Sequence, residues 1–270
     1  MKPKYIIIII ISFALLFLNS CEKEININLN KNNPKYVIEG NLSTEIGESR
    51  VKITQTLNFN ETDSFPTVSG ALVTITDNTQ NKIDTLSEIQ AGIYNNLSLV
   101  GIKGHAYTMT VKIGSEIFTS ISTIPYSLTL DSLVQLNLAG TGGQGRPGSN
   151  ESGSIIRILP VYTNSTNSDK YFQFIVVKND TILYGIIARS DLVSNGFSIP
   201  FPFFIRANKN DIIKIDMQFI DKQVYDYLFG LTENINQFSA TPANPTSNIS
   251  NGALGYFKAH TSQKEIMVIK

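Results

Sequence analysis

From Lys35 to Pro125, apolar and polar positions alternate with a period of two. YVIEG (Tyr36 to Gly40), SRVKITQTL (Ser49 to Leu57) and ALVTITD (Ala71 to Asp77) put β-branched and apolar side chains on one face, and Gly, Asn, Asp and Pro bound them. GIYNNLSL (Gly92 to Leu99), HAYTMTVKIG (His105 to Gly114) and EIFTSISTIP (Glu116 to Pro125) repeat the pattern. Within HAYTMTVKIG, Tyr107, Met109 and Val111 face one way, and Thr108, Thr110 and Lys112 the other. Gly114-Ser115 suits a tight hairpin between the last two strands. Six or seven short strands over residues 35–125 predict an immunoglobulin-like β-sandwich. The chain has one Cys and no Trp, so the likeness to such domains is architectural.

Pro125 closes that unit, TIPYSLTLDSL forms a junction, and residues 126–270 read as a second β-rich, sandwich-like domain. A polar, Gly-rich loop, Ala139 to Gly153, comes early in it. RILPVY (Arg157 to Tyr162) precedes YFQFIVVK (Tyr171 to Lys178), which is apolar on both faces, and TILYGIIA (Thr181 to Ala188). Lys178-Asn179-Asp180 suggests a hairpin corner between the latter two. In DIIKIDMQFI, Ile213, Ile215, Met217 and Phe219 alternate with Lys214, Asp216 and Gln218. One helix is predicted near 221–237: Asp221 is placed to cap it, and Val224, Leu228, Leu231 and Ile235 recur at roughly 3.6 spacing. Gly230 falls inside it, against helix propensity. After PANPTSNISNG, the segment ALGYFKAHTSQKEIMVIK reads as two closing strands.

The start of the chain has a different pattern. Lys2 and Lys4 precede an apolar run from Ile6 to Leu18, broken only by Ser12. That order predicts a signal peptide over 1–20, because spanning a bilayer as a helix takes about 20 apolar residues. Leu18-Asn19-Ser20-Cys21 resembles a bacterial lipobox, with Asn19 departing from the usual small residue. The resemblance implies cleavage before Cys21 and lipid on its sulfur, leaving 21–34 as a lipidated N-terminus and polar tether. Acyl chains contribute about 0.8 kcal/mol per buried CH₂, and stable anchoring takes more than one chain. Glu22-Lys23-Glu24 resembles the charged signals that direct lipoproteins of Bacteroidota to the cell surface. The expected location is therefore the outer membrane, with surface display ahead of the periplasmic face.

Composition removes several function classes. The 22 basic and 22 acidic residues leave no strong field for nucleic acid. Gly140 to Gly145 matches GxGxxG, but Arg146-Pro147-Gly148 follows without a helical period, so a surface loop is expected rather than a dinucleotide site. His105 and His260 are the only histidines and lie in different units; a surface turn and an exposed strand position are their expected places. No metal site or cofactor is expected from this set. Ser127, Ser149 and Ser194 lie in turn-like settings outside any GxSxG, and Asp131, Glu151, Asp169 and Asp180 sit beside turn residues. Asn208-Lys209-Asn210-Asp211 lacks the spacing of a calcium loop. The chain is therefore read as non-enzymatic. Phe197, Phe201, Phe203 and Phe204 crowd GFSIPFPFFIRA, where Pro200 and Pro202 argue for an edge or loop segment. This segment is either a core plug or a contact patch for a partner or ligand.

Taken in order, several pieces resemble the Bacteroidota lipoproteins of domain of unknown function 4249. They are Cys-Glu-Lys-Glu-Ile at 21–25, Tyr-Val-Ile-Glu-Gly at 36–40, Thr-Ile-Pro at 123–125 and Leu-Asp-Ser-Leu at 130–133. Tyr-Asp-Tyr-Leu at 225–228 and Ser-Asn-Ile-Ser-Asn-Gly-Ala-Leu-Gly-Tyr-Phe at 247–257 complete the set. The resemblance implies no catalytic residues. It implies an outer-membrane lipoprotein that accompanies a TonB-dependent transporter, with a free-standing glycan- or peptide-binding lipoprotein as the alternative and a hydrolase behind both.

Overall fold

The alternation becomes strands wherever one face finds a core. The computed structural model describes residues 34–57, 64–126, 128–137, 154–162, 170–183, 186–191, 202–235 and 244–270. In its first half these form β1 (Tyr36–Ser43), β2 (Arg50–Gln55), β3 (Leu72–Asp77), β4 (Lys82–Gln90), β5 (Ile93–Asn95), β6 (Ala106–Ile113) and β7 (Glu116–Thr123). One layer runs β1-β2-β5 and the other β3-β6-β7. β4 serves both layers, pairing β3 through Lys82–Leu86 and β5 through Ser87–Gln90, with a register shift between Glu88 and Gln90. Tyr107, Met109 and Val111 point inward beside Ile38, Leu42, Ile53, Ile75 and Phe118, all essentially inaccessible. Burying each such side chain stabilises by about 1.5–3 kcal/mol. β4 is exposed over most of its length, so it shows almost no alternation in sequence.

The second half comprises β8 (Leu130–Asn137), β9 (Ser154–Tyr162), β10 (Lys170–Lys178), β11 (Thr181–Ile182), β12 (Ile187–Asp191), β13 (Phe203–Ala207) and β14 (Ile212–Ile220). Helix α1 (Lys222–Ile235) and β15 (Leu254–Val268) follow. The sheet order β13-β9-β8 lies over β10-β14-β15, and Ile156, Ile158, Phe174, Phe203, Ile213, Ile215, Met217 and Phe219 fill the space between. Among the described residues the molecule is thus mainly β, in sandwich layers, with one short helix. Asn179 and Asp180 adopt positive φ (47° and 65°) in the β10–β11 hairpin, the conformation of a two-residue primed turn. Asp221 caps α1, its Oδ1 accepting from Val224 N at 2.9 Å. Val224, Tyr227 and Leu228 press on Ala188 and Ile220.

The closing segment is one 15-residue strand, not the expected two. No turn residue interrupts it after Gly255, and its two halves use opposite edges. Leu254–His260 pairs parallel with β1, while Thr261–Val268 pairs antiparallel with β14. Phe257 and Ala259 therefore complete the first core, with Ile249 and Ala253, and Ile269 joins the second.

Candidate functional site

Over Gly255–Ala259, the β15 edge opposite β1 has no strand partner among the described residues, and side chains stand in for one. Asn248 acts as a surrogate peptide: its Nδ2 donates to Phe257 O and its Oδ1 accepts from Phe257 N, both at 2.9 Å. Ser247 Oγ donates to Gly255 O, and Ala259 N donates to Ser122 Oγ on β7. Ser250 pairs with Thr119 through backbone and side chain at 2.8 Å, and Ser120 Oγ donates to Asn248 O. The Ser-Asn-Ile-Ser-Asn stretch thus stitches β7 to β15 and seals the first sandwich. Asn248→Ala is expected to strip two bonds from buried backbone groups and lower unfolding stability by about 2–4 kcal/mol in urea titration. Asn248→Asp, which keeps the acceptor but not the donor, should fall between.

A second polar cluster lies where β15 changes partners. Lys258, buried, donates from Nζ to Gln173 Oε1 of β10 and Gln218 Oε1 of β14, both at 2.7 Å. Gln218 Nε2 donates to Asp216 Oδ2 at 2.7 Å, and Ser262 Oγ to Asp216 Oδ1 at 2.6 Å. Burial, opposed by the Asp216 carboxylate, pulls the Lys258 amine down to about 7. His260 is 3 % exposed and not the exposed strand residue expected; the alternation holds, but both faces of β15 are covered here. Burial and the neighbouring Lys258 hold its imidazole well below the usual histidine range. Nothing in the sequence marked this cluster, because the residues that enclose it come from distant strands. At 4 % exposure the Lys258 amine serves as a tie between strands, closed to substrates.

The residues weighed and set aside in the sequence reading scatter. His105 is half-buried, with Nδ1 2.8 Å from Asp77 Oδ2. Burial alone would raise the Asp77 carboxyl, but bonds from His105, Gln80 N and Thr79 N outweigh it and lower it below the ordinary value. Asp180 is exposed and paired with Lys214, and Asp211 closes the 208–211 turn by accepting from Asn208 N at 2.8 Å. Among the described residues, no three His, Cys, Asp or Glu side chains come together as metal ligands. Cys21, the 140–145 glycines, Ser127, Ser149, Ser194, Glu151, Asp169, Phe197 and Phe201 lie outside the described residues.

Within the Phe-rich segment, the two described phenylalanines part ways. β13 is an edge strand, and its pleat sends adjacent phenylalanines to opposite faces. Phe203 is 3 % exposed and meets Phe174 edge-on at 5.1 Å between ring centroids. Phe204 is 52 % exposed on the outer face, opposite Arg157 of β9, and Arg206 stands opposite Ile155, itself 40 % exposed. Val134 of β8 extends this face at 39 % exposure. The outcome is an apolar surface carrying two guanidinium groups.

Fold and surface together define a β-sandwich protein with an outward apolar–cationic sheet face. The chain belongs to the family described as a domain of unknown function, DUF4249, whose model matches residues 22–266. Among curated proteins, none is similar enough to match.

Proposed function

We propose that this chain is a lipid-anchored, non-enzymatic outer-membrane protein of Bacteroidota, tethered through Cys21, that serves a TonB-dependent transporter as an accessory or ligand-binding partner. The observation that carries the docking role is the exposed Phe204 face, with Ile155, Val134, Arg157 and Arg206 around it. Large apolar side chains gathered on one sheet face beside arginines are the usual make-up of protein contact surfaces. The anchor rests on the lipobox, and the family match begins at residue 22, directly after Cys21. A free-standing glycan- or peptide-binding lipoprotein is the second reading. It is favoured by a cleft of about 530 Å³ whose mainly apolar lining, with Ile121 and Ile249, also carries Thr119, Gln223, Asp226 and Thr246, the mix of apolar surface and a few polar groups found in small-ligand sites.

Co-purification in mild detergent with the anchor intact tests the first reading. The wild-type chain is expected to recover a barrel protein, and Phe204→Ser to recover at least about tenfold less, matching the loss of one central anchor residue. Stability of Phe204→Ser should stay within about 0.5 kcal/mol of wild type, because the ring is at the surface. Repeated recovery of the wild-type lipoprotein alone would overturn the partner role.

A further inference from the structure

β15 and β8 each leave an edge unpaired, and these edges face one another. On the β1 side of β15, the parallel ladder ends at Ser43↔His260, and Thr44 N makes the last bond, to His260 O. Gln263 then holds the chain before β8, accepting from Leu130 N and donating to Leu128 O. Lys270 N donates to Gln135 Oε1 at the far end. Between these two ties lies a cleft of about 660 Å³ lined by Ser132–Gln135, Glu265–Val268 and Lys270. β8 pairs only with β9, and this half of β15 only with β14, among the described residues. Every second residue of a strand directs its N–H and C=O away from its ladder partner, so both walls present peptide groups to the cleft. The opposite side of the same sandwich is bridged, with Lys178 Nζ donating to Arg206 O of β13 at 3.0 Å.

The side chains of the cleft narrow down what fits. Leu133 and Met267 pack against the second core and form an apolar floor. Glu265 shares the inward face of β15 with Met267, lines the cleft, is half-buried, and has no hydrogen-bond or ion-pair partner among the described residues. Lys270 lines the same cleft but makes no ion pair with Glu265, so a half-buried carboxylate is left to favour an occupant that supplies the pairing charge.

We propose that this cleft captures an extended polypeptide segment of a partner protein by strand addition along the free edge of β15. The segment carries apolar residues at alternate positions, over Leu133 and Met267, and a Lys or Arg facing Glu265. Main-chain bonds to the strand edge provide affinity and the alternate pockets provide selectivity. The cleft shares Val134 with the Phe204 face but none of Phe204, Ile155, Arg157 or Arg206, so either proposal can fail while the other stands.

The probe is the heptapeptide Val-Thr-Val-Thr-Lys-Thr-Val added to the full chain, with binding read by titration and by amide hydrogen exchange. Saturable binding is expected, with exchange slowed at least about tenfold at the amides of Ile266 and Val268, which point away from β14. Replacing the peptide's Lys by Glu should weaken binding about tenfold, and Glu265→Gln should remove most of that discrimination. The Lys peptide N-methylated at alternate amides should not bind. No binding by the Lys peptide, binding without protection of those amides, or equal binding by the N-methylated peptide would each overturn the proposal.

Discussion

Gly255→Ala is expected to be the most destabilising single-methyl change in the chain. Gly255 stands at the start of β15 with φ 100°, outside the range L side chains adopt readily. A Cβ there would lie 2.0 Å from Ile38 O and 2.8 Å from Ile38 C. Ile38 is the register partner of Gly255 on β1, so the obstacle is backbone and cannot rotate away. Relief requires pushing β15 off β1 and opening the first core at Ile38 and Phe257. The expected loss is at least about 4 kcal/mol, the range reserved for broken cores and strained backbones. Gly252→Ala provides the comparison: its φ is 72°, but nothing lies within 4 Å of the added methyl. It should lose only about 1–2 kcal/mol. A Gly255→Ala chain that melts within a few degrees of wild type would show that β15 does not depend on this close approach.

The second large effect is a dependence of stability on pH with an unusual sign near neutrality. Lys258 is pulled from its ordinary 10.5 to about 7 in the folded chain. Between those values the unfolded state holds a proton that the folded state has released, so unfolding free energy rises with pH. From pH 7 to 9 the gain is about 2–3 kcal/mol, at 1.36 kcal/mol per unit. His260 adds to the acid side: buried and neutral, it stabilises fully above its ordinary value of 6.5, and that contribution is lost as pH falls below it. Lys258→Met should flatten the rise between pH 7 and 9 while leaving most of the acid-side loss, because burial is the larger cause of the His260 shift and the Lys258 charge the smaller. Urea titrations at pH 6, 7, 8 and 9 read both limbs. An undiminished slope in Lys258→Met would mean that the titrating group lies elsewhere.

Local chemistry made much of the fold legible. Tyr107, Met109 and Val111 point inward because a strand's pleat leaves them no alternative once one face is buried. Asp221 could be read as a helix cap because its bond to Val224 N is made within one turn. The structure adds a second role that no local pattern carries: the Asp221 carboxylate also accepts from Ser122 Oγ on β7, fastening the helix to the first sandwich. β4 escaped notice because a strand exposed on most of its length need not alternate. The 15-residue β15 looked like two strands because its polarity changes midway. That change records a switch of partners from β1 to β14, not a turn.

The candidate surfaces divide the same way. The Phe-rich segment stood out in sequence as apolar bulk beside prolines, yet which phenylalanine faces solvent depends on the register of β13 against β9. A shift of one residue would exchange Phe203 and Phe204. His260 was misplaced because burial on the second face of β15 comes from strands far away in sequence. The strand-edge cleft was invisible, since a vacancy exists only relative to neighbours that the topology does or does not supply. By itself the sequence determined the strand periodicity, the helix and its cap, the signal-like start and the family motifs, all properties of residues within a few positions of one another. Only the tertiary structure decided which faces are buried, that Asn248 seals a strand edge, that Lys258 is enclosed, and where β8 and β15 stay unpaired among the described residues. Those outcomes depend on long-range pairing and register, which short-range pattern does not encode.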